Sequence, residues 1–252
     1  MLSISSAQSN LLSGVMRSKA AEQLISHVQT HFSQPARLAG ETAVHKLVEG
    51  CFADADVLGL ADQQALMYLL SLQLYFGSGF RHDRLLSDFT AILERSDVAT
   101  PRARIGRCWR EGLAFHDQIA GAQGQHAGQA IARLAGLELA GLAADNSAVE
   151  AGQVDYLLAS IWPEKYAQLR LRDPAAFAGL MVQLGALAQR HAIRKAGGAR
   201  VLLALAWVFG AGFADDAMLE PLGALLRPDV SMNPASMAAA DVFLARIVEA
   251  AA

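Results

Sequence analysis

Few residues in this chain have the chemistry to act as ligands, bases or nucleophiles, and their spacing decides what they can do. His27 and His31 stand four apart, the helical spacing that sets two imidazoles on one face for a metal. A zinc-hydrolase motif needs a Glu beside the first His, whereas Val28, Gln29 and Thr30 lie between these two. Glu22 is the nearest further donor on that side, and two solvated histidines at a helix end are the expectation. Cys108 and His116-Asp117 suggest a nucleophile and a base, but eight residues of one helix separate Cys108 from His116, about 12 Å along its axis. No hydrogen-bonded nucleophile–base pair forms at that distance. Cys51 lies on an apolar stripe and is expected to be simply buried. No catalytic residue, metal or cofactor is expected.

Arg102, Arg104, Arg107 and Arg110 form the densest basic group. Their helical angles spread over more than half the circumference, which predicts a solvated face opposite Ile105 and Trp109, or a surface for an acidic partner. Asp54, Asp56 and Asp62 flank a helix end and suit capping. Asp83 sits beside a glycine loop, where a turn or N-cap role is expected because no partner for general acid–base work recurs with it.

That loop occurs twice. Tyr75-Phe76-Gly77-Ser78-Gly79-Phe80 is answered by Val208-Phe209-Gly210-Ala211-Gly212-Phe213 at an offset of 133 residues. Leu70, Leu72, Asp83, Leu86, Ala91 and Leu93 meet Leu203, Leu205, Asp216, Leu219, Ala224 and Leu226 at the same offset. A duplicated helical module is the plan this predicts. Candidate chemistry does not recur: His82 faces Asp215, Cys51 faces Leu184 and Cys108 faces Asp241. The glycines follow a helix, not a strand, which argues against a nucleotide-binding loop. Gly77 and Gly210 are expected at left-handed C′ positions, Gly79 and Gly212 at the chain reversal, and Phe80 and Phe213 in the core.

The totals agree with a helical binding protein. Of 252 residues, 53% are apolar and 18% charged, with mean hydropathy +0.26, which predicts wide helix–helix burial or an apolar surface kept for a partner. The apolar run Val201–Ala214 is too short to cross a bilayer, and the run from Gln63 to Phe80 carries polar residues, so no membrane span is expected. The first residues lack the pattern of a secretory signal. Two cysteines and a net charge of −3 suit a cytoplasmic protein without disulfides and give no electrostatic case for nucleic acid.

Leu, Ala, Met, Gln and Arg favour helix nearly throughout. Helices are predicted from about Ser6 to His31, between Thr42 and Leu58, from an Asp62 N-cap to Phe76, from Pro101, and from about Pro234 to Ala250. Pro221 fits the first position of another helix, which leaves 81–86 and 214–219 as irregular crossings. Gly121 to Ala130 reads as a linker, residues 131–142 as a short helix, and about Ser147 to Ile161 as a helix ended by Pro163. The expected organisation is an N-terminal module over 1–121, a linker with a short helix over 122–146, and a C-terminal module over 147–252. The fold class is all-α, as two pseudo-repeated helical bundles packed together.

The first 120 residues carry a further pattern: His31-Phe32, Glu41 and Leu47 leading through Ala55 to Gly59, Phe76-Gly-Ser-Gly-Phe-Arg-His-Asp83, Ile92-Leu93, and an Arg-containing helix at 102–113. It resembles the small α-helical proteins encoded beside spike and effector genes of bacterial type VI secretion systems. Those proteins show Gly-x-x-Phe-Asp-x-Asp-Pro before a Pro-Trp; this chain keeps Gly77, Phe80 and Asp83 but has Arg81, Arg84 and Ser87-Asp88 at the other positions. The resemblance implies a cytoplasmic accessory protein, an adaptor or chaperone that binds a secretion effector or spike-tip protein. An immunity protein that neutralises a cognate toxin makes the same physical demands, and a small-ligand binder or enzyme using the groove between the halves is the third class. Partner anchors are expected among Tyr75, Trp109, Trp162 and Tyr166 together with the four arginines.

Overall fold

A computed structural model describes residues 6–95, 97, 100–145, 147, 150–227 and 232–251, with the side chains of 6–14 and 251 outside the description. Every regular element among these residues is helical, and none is long and apolar enough to cross a membrane. In order they are α1 (Ser6–His31), α2 (Ser33–Ala39), α3 (Glu41–Leu58), α4 (Gln63–Phe76), α5 (Ser87–Thr90), α6 (Pro101–Ala120), α7 (Gln125–Ala135), α8 (Leu139–Ala144), α9 (Ala151–Ile161), α10 (Pro163–Arg172), α11 (Ala176–Arg190), α12 (Ala196–Phe209), α13 (Glu220–Gly223) and α14 (Pro234–Ala251). Short 3-10 turns at 80–82, 84–86 and 91–94 surround α5, and turns at 213–215, 217–219 and 224–226 surround α13.

The starts follow capping chemistry. The Asp62 carboxylate accepts the Ala65 N–H at 2.9 Å to open α4, and Thr100 accepts the Ala103 N–H before Pro101 opens α6. Glu150 and Gln153 form a capping box on α9, satisfying first-turn donors that have no partner inside the helix. Pro163 opens α10, and Pro221 lies in the first turn of α13; the missing proline N–H is harmless there.

Elements recur with the sequence offset. Shifted by 133 residues, α4 falls on α12, the turns at 80–82 and 84–86 on those at 213–215 and 217–219, α5 on α13, and the start of α6 on the start of α14. What packs on what is exchanged between the halves. The 84–86 turn lies on α11 and its counterpart at 217–219 lies on α3, while α10 packs on α6 and α2 on α14. The result is one continuous core, from Leu24 and Val28 of α1 through Phe80, Phe89 and Phe115 to Trp207, Phe213 and Leu244.

The segment 122–146, expected as a linker with one short helix over 131–142, is helical over more of its length and breaks at 136–138. From Gln125 it forms α7, then α8, and Ala130, Leu134 and Leu139 are fully buried. Its Gly, Gln and Ala content reads as linker, yet Ala and Gln are good helix formers, and close packing of α7 and α8 on α12 and α14 offsets the glycines.

Candidate functional site

The two glycine loops meet face to face. A Cβ on Gly79 would lie 2.8 Å from the Gly212 Cα, and one on Gly212 would lie 2.7 Å from the Gly79 Cα. Gly79 and Gly212 have ordinary negative φ, so backbone-to-backbone approach is what demands glycine at both. Gly77 and Gly210 do have positive φ, 89° and 86°, but with ψ of 154° and 155°. They occupy the extended positive-φ region that is essentially restricted to glycine, not the left-handed cap that their place after a helix suggested. A side chain would also strike the opposite helix end, since a Cβ on Gly77 would come within 2.7 Å of the Phe209 carbonyl oxygen.

Asp83 and Asp216 lock this contact. Each uses one oxygen in its own turn: Asp83 Oδ1 accepts the Leu85 N–H and Asp216 Oδ1 the Met218 N–H, both at 2.9 Å. Each sends the other oxygen across, Asp83 Oδ2 to the Ala211 N–H at 3.0 Å and Asp216 Oδ2 to the Ser78 N–H at 2.7 Å. The turn role was legible in the sequence; the reach into the opposite loop was not. Phe80 and Phe213 are fully buried, and the aspartates nearly so.

Beside these loops lies a cleft of about 680 Å³, walled by α2, α7, α14 and the ends of α4, α6 and α12. Apolar side chains such as Leu38, Phe76, Ile119, Phe209, Met218 and Phe243 make most of its lining. Its charged groups are Lys165, Asp83 and Asp216. Lys165 is only 6% exposed, and its Nζ donates to the Trp207 carbonyl at 2.6 Å, a last-turn oxygen of α12 that lacks a helical partner. The ammonium lies 5.1 Å from the Trp162 ring and 4.8 Å from the Trp207 ring. Burial pushes its pKa down from 10.5 to about 8, against the upward pull of Asp83. Gln73, 3% exposed, also lines the cleft; its Nε2 donates to Asp54 at 2.8 Å, and its Oε1 receives no hydrogen bond. His116 lies on the same wall, and burial lowers its pKa more than neighbouring Asp117 raises it. Lys165 escaped sequence reasoning because its repeat position is Phe32, and no motif marks a lone lysine as buried.

The expected partner anchors separate into three environments. Tyr68 stacks on Trp109 with centroids 5.5 Å apart, and Trp109 meets Tyr75 at 6.0 Å. Arg102 joins them through Gln64, which accepts from the guanidinium at 2.7 Å and donates to the Tyr68 hydroxyl at 2.8 Å. Arg104 reaches the Arg95 carbonyl and Arg107 pairs with Glu111 at 2.8 Å, while Arg110 is exposed; the four do not form one surface. Trp162 is buried, with its indole N–H donated to the Ile119 carbonyl at 2.9 Å, so it is a wall of the cleft and not an exterior anchor. Tyr166 is half-buried, accepting a hydrogen bond from Arg170 at 3.1 Å.

The remaining candidates stay apart. His27 Nε2 pairs with Ser71 Oγ at 3.2 Å, and its ring lies 4.7 Å from that of His31. Burial and then His31 lower the pKa of His27. Among the described residues no three His, Cys, Asp or Glu side chains gather in a metal-binding arrangement. Cys51 and Cys108 are buried and unpaired, and burial pushes both thiols up to about 12, which removes the thiolate that nucleophilic chemistry needs. Comparison of the chain with protein families, curated proteins and solved structures finds no match.

Proposed function

We propose that the protein works by binding another protein, as a helical accessory factor for a secretion effector or a spike component. The observation that carries this reading is the patch on α4 and α6 in which Arg102, Gln64, Tyr68, Trp109 and Tyr75 form one connected, partly exposed surface. Arg, Trp and Tyr are the side chains that most often dominate binding energy at protein interfaces. Their contacts with one another hold the rings in place before any partner arrives, which lowers the entropic cost of association. The resemblance of the first 120 residues to type VI accessory proteins supports the identity of the partner class.

The test is affinity capture from the native host with the wild-type chain and a Trp109→Ala/Arg102→Glu variant. Recovery of one effector or spike protein at near-equal stoichiometry by the wild type alone supports the reading. A partner captured equally by both forms, or none, overturns it. Co-expression with the captured effector then separates the roles: an immunity protein abolishes toxicity, whereas an adaptor raises solubility or delivery and leaves toxicity intact.

A further inference from the structure

We propose that the cleft between the two halves is a binding site for a single long-chain carboxylate, with its chain along the apolar walls and its head group on Lys165. This site does not depend on the partner assignment above.

The argument starts from hydrogen-bond supply. An ammonium group carries three donors, and Lys165 makes one hydrogen bond, to the Trp207 carbonyl. The two indole faces beside it attract the charge but accept no full hydrogen bond. Asp83 helps the charge electrostatically, yet both its oxygens are committed to backbone N–H groups, as are those of Asp216. The two aspartates are therefore answered within the protein, and Lys165 is the charged group of the lining that lacks acceptors. A carboxylate supplies two acceptor oxygens and a counter-charge in one group.

The rest of the lining sets the remainder of the ligand. The volume of about 680 Å³ falls within the range of small-molecule pockets. Apolar side chains make most of the walls, with Gln34, Gln123, Gln125 and Gln129 among the remaining lining, so a ligand that is apolar over most of its length suits them best. A saturated chain gains from every methylene buried. An apolar body with one anionic end satisfies both halves of the lining.

Dodecanoate, kept below its micelle concentration, is the probe, with its methyl ester as the uncharged control. Binding to the full chain is read by tryptophan fluorescence, because Trp162 and Trp207 flank the Lys165 ammonium, and by titration calorimetry. The expected result is micromolar binding of dodecanoate. Both replacing it by the ester and substituting Lys165→Met weaken binding by about tenfold or more. A melting temperature of Lys165→Met at or above that of the wild type shows that the loss is not unfolding. The proposal is overturned if dodecanoate does not bind at about 1 mM, if acid and ester bind equally, or if Lys165→Met binds as the wild type does.

Discussion

At the first glycine loop, Arg81 reaches Asp54 at 2.6 Å and Gln73 joins the same carboxylate; at the second, the equivalent positions are Ala214, Leu187 and Ala206. Around the second loop, Lys165 sits between two tryptophans, and the equivalents of Lys165, Trp162 and Trp207 are Phe32, Gln29 and Leu74. The aromatic pair Tyr68–Trp109 likewise answers to Val201 and Val242. What the two regions share is glycine, phenylalanine and aspartate, the residues that close the crossing. What they do not share is every polar or aromatic device beside it. The common set specifies the fold, and the residues present once are where function is to be sought.

The largest effect should come from the shared set. Gly79→Ala or Gly212→Ala forces a Cβ into the opposite backbone, and a loss of about 3 kcal/mol or more is expected in urea denaturation. Gly50→Ala and Gly185→Ala, in helices with open space around them, should be neutral or raise stability by up to about 1 kcal/mol. Equal tolerance at all four positions would break the claim that close approach selects these glycines.

Lys165→Met should act in the opposite direction to most core substitutions. The fall in pKa from 10.5 to about 8 means that the folded state bears a penalty of about 3 kcal/mol while the lysine is protonated in both states. Below about pH 8 the variant should therefore be more stable than the wild type, by about 1 to 3 kcal/mol after the loss of the Trp207 hydrogen bond. Between about pH 8 and 10.5 the folded chain has released the proton and the unfolded chain has not. Wild-type stability should rise across that window and stay flat in the variant. A variant that is less stable at pH 7 would mark Lys165 as a helix-end support.

The aspartates test the symmetry itself. Asp83→Asn and Asp216→Asn each weaken one hydrogen bond within a turn and one across the loops, and each should cost about 2 kcal/mol. Asp83 should cost more than Asp216, since its charge also supports Lys165, and calorimetric melting resolves the two. Smallest of all, Arg81→Ala should cost about 1 to 2 kcal/mol through its largely buried pair with Asp54, whose carboxylate Gln73 still serves, whereas Ala214→Arg, its mirror substitution, should gain nothing because the position equivalent to Asp54 is Leu187.

Much of this frame is legible in the residues alone. The Asp62 cap, the helix ends at Phe76 and Phe209, and the prolines at 101 and 234 place both ends of α4 and α14, the start of α6 and the end of α12 to within a residue or so. Local propensity fails at 121–130, where packing of α7 on α14 outweighs a glycine-rich composition. It fails more deeply at the site. Asp83 and Ala211 are 128 residues apart, and no periodicity reports that one loop's carboxylate serves the other loop's amide. Lys165 follows a proline in an amphipathic helix start and looks like any surface lysine; its burial is decided by Trp162 at the cap of its own helix together with Trp207, which arrives from α12.

The exchange of loops also orders events in time. Ser78 waits for Asp216, 138 residues later, and Asp83 for Ala211, so a chain leaving the ribosome completes its first crossing only when most of the second half has been made. Closing loops of that length is slow relative to helix formation. During synthesis the nascent first half therefore carries formed helices around an open seam, and a cut near residue 122 should yield two pieces that gain native stability only when mixed.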